Sequence, residues 1–217
     1  HTLNPRLHPD QVSYIVNHAE DKVLCVDLNI LPLIEKASEN FKTVEALVVM
    51  TDAKNMVKPK VKDDIKVICY EDFIKDESDE FVWPQLDEKT ASSLCYTSGT
   101  TGDPKGVVYH HRGACLISQG NAITANIPKH PVYLWTLPMF HCNGWCFPWT
   151  LSALTGTHVC LREVRADAIW AALDDHNVTH LCGAPVVMST ILAADPADKR
   201  TLASSIDFFT AAAPPPE

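Results

Sequence analysis

The chain has 217 residues, which is enough for one complete hydrophobic core or for part of a larger protein. Its composition, 46% hydrophobic and 21% charged, is that of an ordinary globular segment and excludes a disordered tail. With 18 basic and 27 acidic side chains, the net charge of −9 offers no cationic footprint for nucleic acid. No apolar stretch approaches the ~20 residues that span a bilayer, and no secretory signal pattern opens the chain. We therefore expect a cytoplasmic protein without transmembrane segments or nucleic-acid partners.

The first part of the chain alternates predicted helices and strands. Pro9 precedes an apolar face formed by Val12, Ile15 and Val16, which predicts a helix with proline in its first turn. The runs KVLCVD, VEALVVM and IKVICY predict buried strands. A helix interrupted early by Pro32 is expected at ILPLIEKASENF, and a short helix at residues 71–75. An acidic linker, KDESDE, follows.

The second part continues the alternation. Strands are expected at SSLCYT, VYLWTL, THVCL, VTHLCG and IDFFTAA, and VVYHHRGACLISQGNAITANI predicts a strand that leads into a helix. Helices are expected at ADAIWAALDDHN and PVVMSTILAA, and GWCFPWTLSALTG predicts one buried helix bent at Pro148. Strands and helices in alternation predict an α/β fold with mostly parallel strands flanked by helices.

Cysteines are frequent but irregularly spaced: Cys25, Cys69, Cys95, Cys115, Cys142, Cys146, Cys160 and Cys182. Most lie in apolar runs, so we expect buried thiols rather than a disulfide framework. The one candidate zinc cluster combines His141, Cys142 and Cys146, with His110 and His111 as further donors. It lacks a Cys-x-x-Cys pair, so packing or ligand contact is the favoured interpretation.

The loop YTSGTTGDPKG, residues 96–106, has the composition of a phosphate-binding loop. Its glycines allow backbone N–H groups to approach a ligand, and its hydroxyls and Lys105 suit an anion. In a Walker loop the lysine follows a glycine and precedes Ser or Thr, whereas here Lys105 precedes Gly106 and Val107 follows. The pattern therefore predicts a different polyphosphate loop, in preference to a solvated turn.

This loop resembles the signature loop of the adenylate-forming superfamily, which includes acyl-CoA synthetases, adenylation domains of peptide synthetases and luciferases. LPMFHCNGW, residues 137–145, is similar to a second core element of that family. Residues 1–27 resemble the segment before the first Rossmann-like strands of medium-chain acyl-CoA ligases, and FFTAAAPPPE resembles the strand and turn beside the adenine. The resemblance covers nearly the whole chain and implies part of the large N-terminal domain of an acyl-CoA synthetase-like fold.

The resemblance implies a two-step ligase. A carboxylate attacks the α-phosphate of Mg-ATP to give an acyl-adenylate and pyrophosphate, and the coenzyme A thiol then displaces AMP. In this reading the β- and γ-phosphates are contacted by Thr97, Ser98, Gly99, Thr100, Thr101, Gly102 and Lys105. The hydroxyl of Thr97 or Thr101 is a candidate ligand for Mg2+.

The remaining site residues also follow from the resemblance. Lys105 and His141 are the implied catalytic residues, and His141 borders the acyl and adenylate sites. The acyl pocket is expected to be lined by Trp145, Cys146 and Gly183. The adenine would lie beside Ala212, Ala213 and Pro214, although many relatives have glycine where this chain has Ala211 and Ala212.

Several family elements do not occur in these residues: the glutamate that completes the magnesium site, the ribose-binding aspartate, the hinge and the C-terminal domain. We therefore expect residues 1–217 to be a partial AMP-binding domain that lacks the first part of the large domain and the whole small C-terminal domain, and that is inactive alone. A small to medium acyl or aryl acid is expected because Trp145 is bulky, and homo-oligomerisation is compatible with the sequence. Two alternatives stay open: an adenylation domain with an acceptor other than CoA, and a nucleotide-binding module without activity.

Overall fold

A computed structural model describes residues 1–97 and 102–210. The chain forms two compact units, and each is described by itself. The N-terminal unit comprises Leu3–Asp87 and Tyr96–Val107, and the C-terminal unit comprises His1–Thr2, Glu88–Cys95 and the residues from Val108 onward. Within the described residues, no helix is both long and apolar enough to cross a bilayer.

The N-terminal unit is a three-stranded parallel sheet covered by helices. In chain order its elements are α1 (Pro9–His18), β1 (Val23–Val26), a 3-10 turn (Leu28–Ile30), α2 (Leu31–Ser38), β2 (Ala46–Val49), β3 (Lys66–Cys69) and α3 (Tyr70–Ile74). The strand order is β1-β2-β3, with Leu47 opposite both Leu24 and Val67. The predicted strands and helices of this part are confirmed, except for the interruption of α2 at Pro32.

Local sequence explains where the first two helices begin. The His8 side chain accepts a hydrogen bond from the Asp10 amide, and the Gln11 side chain accepts one from the His8 amide, so both ends of a capping box are satisfied. The apolar face of α1 then packs with Leu31 and Ile34 of α2 in one core. The predicted interruption of α2 at Pro32 is wrong. Pro32 lies in the first turn of the helix, where no N–H is needed.

The C-terminal unit is built mainly on a four-stranded parallel sheet. The division between the units passes through β4 (Ala91–Tyr96) and β5 (Gly106–His110), which pair with each other. The following elements are α4 (His111–Thr124), β6 (Val132–Trp135), α5 (Cys142–Trp145), α6 (Phe147–Ala153), β7 (Thr157–Cys160), α7 (Ala166–Asp175), β8 (His180–Gly183), α8 (Pro185–Leu192) and β9 (Asp207–Thr210). The order of the four-stranded sheet is β7-β6-β8-β9.

Both faces of this sheet are covered, as parallel strands require. Tyr133 and Trp135 on one face pack with Phe147 and Leu151 of α6. On the other face Leu134 packs with residues from α7, including Ile169 and Leu173. The predicted α/β architecture is therefore confirmed.

One predicted helix is wrong. GWCFPWTLSALTG does not form a single helix bent at Pro148, because α6 begins at Phe147 and carries Pro148 in its first turn. The residues just before it, Cys142–Cys146, all have positive φ angles, so the short element α5 is a left-handed turn that cannot continue as a right-handed helix.

The cysteines are all free thiols, but most are more exposed than expected. Burial is confirmed for Cys69, Cys95 and Cys182, and Cys146 is half-buried. The prediction is wrong for four exposed thiols, Cys25, Cys115, Cys142 and Cys160. In the described part of the chain, no group of three or more His, Cys, Asp and Glu side chains is arranged to hold a metal ion.

Candidate functional site

Two hydrogen bonds close the base of the predicted phosphate-binding loop, residues 96–106, in the N-terminal unit. We call this segment the phosphate-type loop. The Thr97 amide donates to the Lys105 carbonyl at 3.0 Å, and the Lys105 amide donates to Thr97 Oγ1 at 3.1 Å. Pro104 is buried beside this closure, whereas Gly102 and Lys105 are exposed. The Thr97 hydroxyl still has its own hydrogen and one lone pair for a ligand. The arrangement presents the Lys105 ammonium to solvent from a fixed backbone.

Among the predicted loop residues, the structure thus brings together Thr97 and Lys105, and it leaves Gly102 exposed. Ser98, Gly99, Thr100 and Thr101 lie outside the described residues, as do Ala212, Ala213 and Pro214 at the predicted adenine site. The phosphate, magnesium and adenine roles of all these residues stay predictions.

In the C-terminal unit, His141 stands at the start of a left-handed turn. From Cys142 to Cys146 the φ angles are 44°, 44°, 61°, 52° and 64°. The His141 carbonyl accepts hydrogen bonds from the amides of Gly144 at 2.9 Å and Trp145 at 3.4 Å. A left-handed conformation costs roughly 1–2 kcal/mol for each residue other than glycine. Such strain persists only where the surrounding structure imposes it, and it is concentrated at functional sites.

Contacts from distant parts of the chain hold the left-handed turn. The Asn121 side chain donates to the Trp145 carbonyl at 3.1 Å and to Thr150 Oγ1 at 3.2 Å. The buried Asn143 side chain donates to the Leu94 carbonyl at 3.4 Å. Its Oδ1 atom is also buried and accepts no hydrogen bond from the described residues. This oxygen is an acceptor that a bound water or ligand donor would satisfy.

The predicted acyl-pocket residues lie near the carboxyl ends of the parallel strands. His141 is exposed, while Trp145 and Cys146 are half-buried. Trp145 packs against a cluster that includes Cys182, the neighbour of Gly183 at the end of β8. A Cβ at Gly183 would lie 2.9 Å from Val187 Cβ, so glycine allows α8 to pack closely at this strand end. Open α/β sheets bind ligands at such strand ends.

The thiols beside His141 are held in the protonated form. Burial raises the pKa of Cys142 and of Cys146, and the neighbouring thiols add to the effect. Burial likewise raises the pKa of Tyr109 to about 12, with contributions from these thiols and from a hydrogen bond with Cys95. Because thiols are nucleophilic as thiolates, this neutral cluster favours a wall for an apolar ligand over a nucleophile.

Sequence reasoning missed three residues that shape this site. The Asn121 side chain is bonded to the left-handed turn, the Trp135 ring lies against Gly144, and the Tyr109 hydroxyl is influenced by the thiols. The left-handed turn itself could have been predicted from the adjacent Asn143 and Gly144, because an Asn-Gly pair favours positive φ. The contacts from Asn121 and Trp135 depend on tertiary structure and had no local signal.

A polar loop closed at its base and a strained turn near the ends of parallel strands are features of a ligand-binding α/β domain. The family of AMP-binding enzymes matches residues 1–217. The chain therefore belongs to the AMP-binding enzyme family.

Curated relatives match almost the whole chain. It is 39% identical over 229 residues to an acetate/butyrate–CoA ligase of Arabidopsis thaliana that is named peroxisomal, covering 99% of this chain and 39% of the relative. It is also 39% identical over 226 residues to an acetate–CoA ligase of Humulus lupulus, with the same coverage. The chain thus spans about two fifths of the length of these relatives.

A solved structure has the same fold. The N-terminal domain of FACL13 from Mycobacterium tuberculosis, bound to an inhibitor, matches with a TM-score of 0.74 and 21% identity. The match covers 99% of this chain and 50% of that domain.

Proposed function

We propose that a polypeptide containing this chain joins a small carboxylic acid to coenzyme A through an acyl-adenylate formed from Mg-ATP. The observation that carries the proposal is the loop base, where Thr97 and Lys105 are bound to each other and the Lys105 side chain is exposed. Membership of the AMP-binding family and the names of the curated relatives support the choice of reaction. CoA is preferred to another acceptor because those relatives are named as CoA ligases.

The chain's own residues would supply charge and position. The Lys105 ammonium would neutralise the leaving pyrophosphate as the carboxylate attacks the α-phosphate. The Thr97 hydroxyl would donate to a phosphate oxygen or offer its remaining lone pair to Mg2+, a metal that prefers oxygen ligands. When bound, Mg2+ would screen the charge of the triphosphate.

Within the C-terminal unit, His141 and the half-buried Trp145 would border the acid. The imidazole of His141 is exposed at the start of a rigid turn, so it could donate to a phosphate or carboxylate oxygen. Trp145 and Cys146 would line the acyl pocket together with Gly183, and the neutral thiols would favour an apolar chain. A short or medium acyl acid fits this set best.

Other aspects of the proposal concern the whole protein. We assign it to fatty acid metabolism in the cytoplasm, although the Arabidopsis thaliana relative is named peroxisomal. Its partners would be the acid, ATP and CoA, and it could act as a homo-oligomer. Nucleic acid is not expected as a partner, because the chain carries a net charge of −9.

The test is acid-dependent release of pyrophosphate by the complete polypeptide, with acetate, butyrate, octanoate and cinnamate compared at fixed Mg-ATP and CoA. We expect AMP and an acyl-CoA thioester in equal amounts, with one of the short acids preferred. Residues 1–217 alone are expected to release no pyrophosphate. Turnover without any dependence on the acid would contradict the proposal.

A matched pair of lysine variants tests the loop. Lys105→Ala should weaken Mg-ATP binding and slow adenylation by at least tenfold, because charge stabilisation of this kind is worth several kcal/mol. Lys129→Ala removes an exposed lysine between α4 and β6 and should leave both quantities unchanged. Equal activity of the two variants would exclude the proposed role of Lys105.

A further inference from the structure

The last residue of α1 is bonded to the last residue of β4. His18 Nδ1 lies 2.7 Å from the Tyr96 hydroxyl, and the two rings meet edge to face with centroids 5.8 Å apart. The ring of Tyr14, one turn earlier on α1, stacks with His18 at a centroid distance of 5.5 Å. Either imidazole tautomer can make the hydrogen bond, because a phenol both donates and accepts.

Tyr96 leads directly into the phosphate-type loop. The next residue is Thr97, which makes both hydrogen bonds to Lys105 that close the loop base. A displacement of the Tyr96 backbone would therefore move Thr97 and, through it, the backbone of Lys105. The hydrogen bond between the His18 and Tyr96 side chains therefore links α1 to the residue that directly precedes Thr97.

The helix that carries His18 is a rigid support. Val12, Ile15 and Val16 of α1 are at most 2% exposed. Beside His18, the Asn17 side chain donates to the Asn40 carbonyl at 2.9 Å and accepts from the Lys42 amide at 2.8 Å. These bonds fix the C-terminal turn of α1 against the chain that follows α2.

The charges around Tyr96 keep its phenol neutral. Burial raises the pKa of Tyr96, and the nearby Asp21 carboxylate and Tyr14 hydroxyl raise it further. Burial also raises the pKa of Asp21. A neutral phenol keeps its hydrogen, so it remains a donor as well as an acceptor toward His18 throughout the neutral range.

We propose that His18 is a positioning residue: its hydrogen bond to the Tyr96 hydroxyl fixes the base of the loop so that Thr97 and Lys105 meet the polyphosphate of ATP. This role rests on the proposed function. His18 acts through Tyr96 and does not itself touch the nucleotide.

Two substitutions break the contact from opposite sides. Tyr96→Phe removes the hydroxyl and keeps the ring, and His18→Leu removes the polar atom and keeps an apolar side chain on Tyr14. Each should raise the Kd for Mg-ATP about fivefold, the equivalent of one hydrogen bond. The double variant should bind like either single variant, because both remove the same interaction.

The controls separate positioning from a general loss of structure. His18→Asn keeps a polar atom at the δ position and should bind Mg-ATP within about twofold of wild type. Tyr14→Phe removes a hydroxyl from the same helix face while keeping the stacked ring, and should have no effect. All variants should retain the thermal unfolding midpoint of the wild type within a few degrees, since the site is partly exposed.

The experiment is calorimetric titration of the complete polypeptide with Mg-ATP, alongside thermal unfolding. Unchanged Kd values in Tyr96→Phe and His18→Leu, while Lys105→Ala loses binding, would refute the positioning role and leave the proposed function intact. Effects that multiply in the double variant, or a lower midpoint without any change in Kd, would also refute it. Wild-type protein that binds no Mg-ATP, or a Lys105→Ala variant that binds normally, would overturn the proposed function and this role with it.

Discussion

The indole of Trp135 occupies the space into which a side chain at Gly144 would project. A Cβ at Gly144 would lie 2.9 Å from Trp135 Cζ3, closer than such atoms approach. Gly144 also has a φ angle of 61°, at the centre of the left-handed turn that follows His141. Both the backbone conformation and the neighbouring ring therefore require glycine here.

Gly144→Ala should lower the free energy of unfolding by about 1–3 kcal/mol, because it adds strain at positive φ and overlap with a buried ring. Repacking of Trp135 would also displace His141, so the rate of adenylation should fall more than the affinity for ATP. Urea unfolding and acid-dependent pyrophosphate release measure the two effects.

Gly120→Ala is the matched control for that substitution. Gly120 lies within α4, and a Cβ there would meet nothing within 4 Å. Alanine should therefore raise the free energy of unfolding by about 0.5–1 kcal/mol. If Gly144→Ala proved as stable as Gly120→Ala, the close approach of Trp135 would be wrong.

At the loop base, Thr97→Val should weaken Mg-ATP binding. Valine keeps the shape of threonine but offers no acceptor to the Lys105 amide, a bond worth about 0.5–1.5 kcal/mol. The free energy of unfolding should fall by the lower part of that range, because the loop base is exposed and water replaces the lost partner. Thr97→Ser keeps the hydroxyl and should bind Mg-ATP like the wild type, and equal weakening by valine and serine would contradict this explanation.

Much of the fold was predictable because short apolar runs alternate with amphipathic segments. VYLWTL is mostly apolar and all four residues of β8 are buried, because β6 and β8 are central strands covered on both faces. The same argument failed for Cys25: β1 is an edge strand, and alternate residues along it are exposed. An apolar run in sequence does not reveal which strands lie at an edge.

The site was only partly predictable for a related reason. Lys105 and Thr97 lie within one loop, so their association follows from local sequence. The turn after His141 instead depends on contacts from Trp135 and Asn121. These residues lie outside the turn, so its local sequence does not reveal the contacts. A helix was predicted there because apolar composition alone does not distinguish a right-handed helix from a left-handed turn.

His180 makes the stability of the chain depend on pH. Its side chain is buried at the start of β8, with Nδ1 2.7 Å from Thr179 Oγ1 and Nε2 3.5 Å from Asp207 Oδ2. Burial lowers the pKa of His180, and this effect outweighs the opposing influence of the exposed Asp207 carboxylate. The folded chain therefore binds a proton less readily at His180 than the unfolded chain does.

The sign of the pH effect follows directly. Between the lowered pKa of folded His180 and the ordinary value of 6.5, the unfolded state binds more protons, so stability falls as the pH falls below about 6.5. His180→Asn keeps a polar atom toward Thr179 and should flatten this dependence in urea unfolding between pH 5 and 8. Asp207→Asn removes the carboxylate that favours protonation and should steepen it. Parallel pH profiles for all three proteins would rule out His180 as the source.

Cys182 should report global unfolding of the C-terminal unit. Its side chain is fully buried in β8, and burial raises its pKa to about 12 despite the opposing influence of the nearby Tyr133 hydroxyl. In the folded protein at pH 7.5, iodoacetamide should modify exposed thiols such as Cys25 and Cys115 and leave Cys182 unmodified.

Modification of Cys182 requires that α6 leave this face of the sheet, because Cys182 packs in one core cluster with Tyr133, Phe147 and Leu151. Its rate should therefore increase with urea in proportion to the unfolded fraction, whereas the rate at Cys25 should change little. Peptide mass spectrometry after timed quenching measures both rates in one sample. Equal rates at Cys182 and Cys25 without urea would mean that the sheet opens locally at β8, and the burial of this strand would then not hold in solution.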